Sequence, residues 1–258
     1  VPHARSVTPD LVGGELELVG RITVASNATF LATIDEVSVV YKPVAGERPL
    51  WDFPDGTLAN REAAAYLVSE AFGWDVVPRT LLRDGPLGPG MVQVWQQPDA
   101  SQDAVDVVPD VPREGWRAVF RGVDEDDQPV TLIHEDSPVL RRMAVFDVVV
   151  NNADRKGGHI LPTAEGHRYG VDHGVSFHVE HKLRTVLWGW RGEPLDVAEI
   201  AGVERVLSGI DGDLGQRLSE LLDDEEVAAL ATRCERLIHD GVFPGPSGDM
   251  PAFPWPFF

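Results

Sequence analysis

Asn151-Asn152-Ala153-Asp154-Arg155-Lys156-Gly157-Gly158-His159, followed a short way on by Val171-Asp172-His173-Gly174, is the stretch from which the rest of this chain is best read. It joins an Asp-x-Lys-x-x-His loop to a second turn built on Asp-x-Gly, and each acid leaves an apolar run. Two carboxylates so placed suit a site that grips a metal-bound nucleotide and orients an attacking hydroxyl. That is the demand of phosphoryl transfer, where positioning and charge stabilisation supply most of the catalysis. The plain alternatives are a polar Asn-Asn-x-Asp turn satisfying backbone groups after a helix and an ordinary Asp-His-Gly hairpin turn.

Upstream, Ser137-Pro138 makes a strong helix start, a cap followed by proline at the first helical position. The helix to about Val150 carries Leu140, Met143, Ala144 and Val148 on one side and delivers the chain into the loop. Asp147 interrupts its apolar run; a buried carboxylate needs partners, so it is expected to brace the loop's backbone N–H groups. The beginning of the chain reads as β-rich: Gly14–Val24, a turn at Ser26-Asn27-Ala28-Thr29, then Phe30–Thr33 and Val37–Tyr41, ending at Lys42-Pro43. A helix is expected from an Asn60 cap to Phe72, stopped by Gly73. Val76–Leu82 and Met91–Trp95 read as strands about a Gly85–Gly90 turn, and the acidic, Pro-containing Pro98–Pro112 as a connector. Beyond Asp172 a mixed segment runs to Pro194. Helices follow near Val197–Leu207, Leu214–Leu222 and Glu225–Asp240, with acids before the last and Gly241 after it. The tail Phe243–Phe258 is either packed along a groove or disordered. The order predicts an α+β chain of two lobes: residues 1–98 a β-rich N-lobe with one helix and a hinge near 92–98, residues 99–258 a compact, mostly helical C-lobe with the 151–159 loop, Asp172, the helices and the Pro/aromatic tail.

A formal net charge of −20 over 258 residues argues against nucleic acid or an anionic membrane as a docking surface. It also makes any phosphate site a local exception that needs metal ions and well-placed cations. No apolar run approaches the roughly 18–20 residues of a membrane span. The first residues do not read as a signal peptide, and Cys234 is the only cysteine, so a disulfide within the chain is ruled out and a reducing cytoplasm is expected. A Gly-x-Ser-x-Gly elbow, a dinucleotide Gly motif and a Walker loop are all absent from the sequence.

The pattern Asp147-x-x-x-x-Asn152-x-Asp154-Arg155 resembles the catalytic loop of the phosphatidylinositol 3-/4-kinase superfamily, including its HipA-like bacterial members. These carry Asp-Arg-His-x-x-Asn with an Asn two residues before the Asp, then Asp-Phe-Gly or a variant. The whole chain also looks like an actinobacterial family described as phosphatidylinositol-kinase-like. The resemblance implies a two-lobed, protein-kinase-like fold that uses ATP with Mg²⁺ or Mn²⁺ to phosphorylate a hydroxyl. Asp154 then stands as the catalytic acid that orients the acceptor hydroxyl, and Asp172 as the metal-binding Asp. Lys156 departs from the family's His but matches the protein-kinase lysine that contacts the transferred phosphate. His159 replaces an Asn that ligates a second Mg²⁺. Imidazole suits Mn²⁺ better, so a Mn²⁺-leaning site, a contact through water and a degenerate site all remain open. Lys42 matches the strand lysine on the inner phosphates and Glu62 its ion-pair partner, unless Glu62 merely decorates a helix start. Ser26, Asn27 and Thr29 lie where a phosphate-covering loop belongs, and Val92 and Val94 where the base should sit.

The acceptor is left open among protein, small molecule and lipid headgroup, because fold does not settle substrate; no nucleic-acid partner and no integral membrane association are expected. Competing readings are a nucleotide-binding pseudokinase acting as a regulatory or interaction module, and nucleotidyl transfer onto protein. His167, His173, His178 and His181 fit no zinc spacing. His178, His181, Lys182 and Arg184 form instead a basic patch suited to an anionic acceptor.

Overall fold

The computed structural model describes residues 10–23, 27–109, 114–248 and 251–258. The chain is α+β, a β-rich sheet region followed by a part that holds most of the helices. The first sheet is antiparallel, in the order β1-β2-β3-β5-β4, from β1 Leu16–Arg21, β2 Phe30–Ile34, β3 Val37–Pro43, β4 Thr80–Gly85 and β5 Gly88–Val94. Alternation along β3 decides the geometry that follows. Val39 and Tyr41 join Ala32, Ile34 and Val92 in a small apolar cluster on one face, so Val40 and Lys42 point to the other.

Helix α1, Leu58–Phe72, begins two residues before Asn60 and is not capped by it. The Glu47 carboxylate accepts the backbone N–H groups of Leu58 and Ala59 at 3.1 and 2.8 Å. A distant acid thus satisfies the free amides at the positive helix end. Termination is as expected, with Gly73 in the left-handed region at φ 69°, where glycine carries no Cβ penalty. Alanines keep α1 slim enough to be buried on most sides. Ala64, Ala65, Leu67, Val68 and Phe72 share the large core with the helices of the second part, whereas the sheet keeps its own smaller cluster. Helix α1 therefore packs on strands β4 and β5 and on the helices of the second part alike.

The Pro98–Pro112 connector is overturned in part, because it contributes β6, Val105–Pro109. Together with β7 Trp116–Val123 and β8 Pro129–Glu135 it builds a three-stranded antiparallel sheet in the order β6-β8-β7. Val105 and Val108 are buried while Asp106 stays at the side, a pattern too short to stand out among prolines and acids. Helix α2, Pro138–Val150, starts at Ser137, whose Oγ accepts the Leu140 N–H at 3.2 Å. It is buried nearly all round, and Val148, expected on the apolar side, is only partly covered. A small hairpin, β9 Ile160–Pro162 and β10 Arg168–Gly170, joins the two acidic turns.

Helices α3 Val197–Ile210, α4 Asp213–Leu218 and α5 Asp224–Asp240 complete the core. Asp196 with Glu199, and Asp223 with Glu226, cap α3 and α5 reciprocally. Cys234 is buried in α5, and burial pushes its thiol up to about 12, so it is chemically quiet. The tail packs, with Phe253 and Phe257 against the large core. Among the described residues no helix is long and apolar enough to cross a membrane.

Candidate active site

Three elements meet at Lys42. The end of β3 supplies the lysine, α1 supplies Glu62, and the turn after β10 holds Asp172 in left-handed backbone at φ 60°. Lys42 Nζ lies 2.7 Å from Glu62 Oε1 and also contacts Asp172 Oδ1. The second Glu62 oxygen accepts the His173 backbone N–H at 2.9 Å. Glu62 therefore fixes both the lysine and the turn that carries Asp172, and at 3% exposure it is no surface decoration of a helix start. Burial alone would lower the Lys42 pKa, but Asp172 and Glu62 outweigh it and raise the value. Lys42 in turn holds the Asp172 carboxyl well below its usual range, against the opposing effect of burial. Yet 46% of the Asp172 side chain remains open.

The other half of the site hangs from the end of α2. Asn151, at φ 56°, closes the helix. Its side chain donates to the His178 and Glu180 carbonyls at 2.9 and 2.7 Å and accepts from Lys182 N at 2.9 Å, pinning that segment. Asn152 donates to Asp147 Oδ1 at 3.0 Å and accepts the Asp154 N–H at 2.9 Å. Asp154 Oδ2 lies 3.2 Å from Lys156 Nζ, both side chains partly exposed. His159 Nδ1 is 2.8 Å from the Asp154 carbonyl oxygen, a contact that requires the proton on Nδ1. Nε2 is then left with its lone pair, 3.5 Å from Asp172 Oδ2. Burial lowers the His159 pKa, helped by Arg155 and opposed by Asp172 and Asp154. A neutral imidazole with its tautomer set by a carbonyl is the form that ligates metal.

Asp147 corrects the sequence expectation. It braces side chains rather than backbone N–H groups. Arg155 Nε and Nη2 donate to its two oxygens, each at 2.9 Å, and both side chains are fully buried. The same guanidinium reaches the carbonyls of His159 and Val171 at 3.0 and 3.3 Å and His173 Nε2 at 2.6 Å. One cation thus ties α2, the loop and the Asp172 turn together. The sequence reading gave Arg155 and His173 no role. The signal that was present is an acid on an apolar helix, which demands a buried cation nearby.

The remaining expectations fare unevenly. Val92 and Val94 sit on the sheet face opposite Lys42, because Lys42 pairs with Met91 and Val40 with Gln93; the β5 side chains on the site face are Met91 and Gln93. Ser26 lies outside the described residues. Asn27 Oδ1 accepts the Arg48 N–H at 2.9 Å, and Thr29 is buried one step beyond the Phe30–Tyr41 pair, so both serve first to fasten their turn. The basic patch is divided: Lys182 is buried with its Nζ 3.0 Å from Asp52 and His178 packs edge-on to Phe53, whereas His181 is exposed and Arg184 half-buried. Among the described residues no group of three His, Cys, Asp or Glu side chains converges as a metal site. Asp172 and His159 offer one open carboxylate and one imidazole lone pair. Such a donor pair fits a divalent transition ion such as Mn²⁺ better than Mg²⁺, which prefers oxygen ligands alone.

No protein-family model matches the chain. It is 50% identical over 262 residues to "Protein Rv2133c" of Mycobacterium tuberculosis, covering 96% of this chain and 94% of that one. Among solved structures it is similar to a Helicobacter pylori proinflammatory kinase, CtkA, at 12% identity and a TM-score of 0.43 over 90% of this chain and 94% of that one.

Proposed function

The chain belongs to the family of Protein Rv2133c, and we propose that it is an ATP-dependent phosphotransferase of the atypical, phosphatidylinositol-kinase-like kind, passing the γ-phosphoryl group to a hydroxyl. The observation that carries this is the junction of Lys42 with both Glu62 and Asp172, facing His159 Nε2 beside the loop of Asp154 and Lys156. Lys42, aimed by Glu62, neutralises the inner phosphates. Asp172 and His159 would hold a divalent metal, which would supply positive charge against the phosphates. Asp154 accepts the hydrogen bond of the attacking hydroxyl and aligns it, while Lys156 faces the charge on the moving group. The Lys42–Asp172 contact is one that a metal–nucleotide complex would replace. With a net charge of −20, a protein or small-molecule acceptor is favoured over an anionic membrane surface.

The test is transfer of label from γ-labelled ATP, with Mg²⁺ or Mn²⁺, to the chain itself or to a panel of protein, small-molecule and lipid hydroxyls. Asp154→Asn should lower it by about 10²–10⁴-fold. Label arriving from the α-phosphate would mean nucleotidyl transfer instead. A pseudokinase reading draws on His159 in the place of Asn and on the absence, among the described residues, of a third metal-ligating side chain. It requires metal-dependent ATP binding with no turnover under any metal.

A further inference from the structure

The loop that carries Asp154, Lys156 and His159 contains two glycines, and the space beside them is filled by the tail. Gly157 N–H donates to the Phe257 carbonyl at 2.7 Å. A Cβ on Gly157 would stand 2.6 Å from the Phe258 ring and 3.2 Å from Val105, so the tail touches this backbone because a side chain is missing. A second connection runs through the extended segment around Thr185, which makes an isolated parallel bridge with Arg155. Arg155 N donates to Arg184 O and Val186 N to Arg155 O, at 3.0 and 3.1 Å, while on the far side Thr185 N donates to Ala252 O at 3.3 Å. Trp188 Nε1 donates to the same Ala252 oxygen at 2.8 Å. Phe253 anchors the segment, its ring 5.5 Å from Phe120 and 5.8 Å from Phe257, and Pro254 is buried. No other described segment hydrogen-bonds to the Gly157 amide.

We propose that residues 251–258 are a positioning clamp for the Asp154–His159 loop, acting directly at Gly157 and indirectly through Thr185. The proposal rests on the phosphotransferase reading for its catalytic consequence but not for its structural one. The clamp holds Lys156 and His159 on either side of Gly157-Gly158, the part of the loop with least intrinsic stiffness. Loss of the clamp should therefore loosen the loop and slow transfer, with little effect on ground-state nucleotide binding.

The experiment compares the native chain with Phe258→Ala, Phe258→Tyr and Gly157→Ala. Amide hydrogen exchange is followed over residues 153–160, together with melting temperature, kcat and the KM for ATP. Phe258→Ala should speed loop exchange by about tenfold or more and lower kcat by about tenfold, with KM changed less than about threefold. Phe258→Tyr should restore both, and Gly157→Ala, which pushes on the ring from the other side, should reproduce the Phe258→Ala pattern. Unchanged loop exchange in both Phe258→Ala and Gly157→Ala would overturn the clamp, as would a loss of kcat that Phe258→Tyr does not recover. If the native chain transfers no phosphate at all, the phosphotransferase reading falls, and loop exchange still decides the clamp on its own.

Discussion

Two carboxylates face cations on opposite sides of one loop, and they are used differently. Asp147 lies wholly buried under the loop, with Arg155 bound bidentately and Asn152 added, so its oxygens are engaged. Asp172 lies at the loop's outer side with Lys42, and nearly half of its side chain stays open, next to an imidazole nitrogen that the protein leaves without a proton. The first pair is sealed and structural. The second is incomplete in the way a ligand site is, since the geometry is already fixed by Glu62 while coordinating capacity remains. The difference separates a charge that is closed off within the fold from one that keeps an open face.

The sealed pair should be the most costly to break. Arg155→Ala strands a buried carboxylate and should cost about 3–5 kcal/mol in urea denaturation, whereas Asp147→Leu combined with Arg155→Met should recover much of that loss. A cost typical of a surface residue would erase the contrast. On the open side, Lys42→Met and Glu62→Gln should be coupled by about 0.5–3 kcal/mol in a double-mutant cycle on metal–ATP binding; strict additivity would mean that the contact is not used.

A third handle lies away from both pairs. Burial pushes His134 down to about 4, and its ring serves as a neutral link, with Nδ1 2.8 Å from the Glu135 carbonyl and Nε2 accepting the Gly189 N–H at 3.0 Å. The unfolded chain takes up this proton near pH 6.5, while the folded chain refuses it until about 4. The stability it contributes is thus complete above about 6.5 and lost as pH falls through that window. Denaturation midpoints across pH 4–7 should show this slope, shallower in His134→Gln, and an identical slope in the variant would assign it elsewhere. The smallest effect is expected for His159→Asn, a shift of a few-fold in preference from Mn²⁺ toward Mg²⁺. Competition between the two metals measures it, and no shift would remove His159 as a ligand.

The convergence of Lys42, Glu62, Asp172 and His159 was more legible in the sequence than the scaffold beneath it. Asp154 and Asp172 sit in short turns whose composition betrays them, and Lys42 closes a strand whose alternation is plain. Arg155 is different. The acid on an apolar helix signals a buried cation, but which cation it takes is fixed only by the reversal of the chain beneath α2. Val92 and Val94 were named without register, and the pairing of Lys42 with Met91 turns their side chains to the face away from Lys42. β6 hid among prolines and acids, since its two buried valines match no long periodic run. The start of α1 depends on Glu47, which precedes the helix by a whole loop and is invisible to local capping rules.

The central claim is that Asp172 is open because it receives a metal-bound nucleotide. The most direct test is the ATP-induced shift in melting temperature, measured with Mg²⁺ or Mn²⁺ and again in excess EDTA, for the native chain and Asp172→Ala, each against its own ATP-free baseline. At ATP about 100 times its Kd, the native chain with metal should gain about 2.7 kcal/mol, and both EDTA and Asp172→Ala should abolish most of that gain. An equal shift without metal, or in Asp172→Ala, would contradict the account.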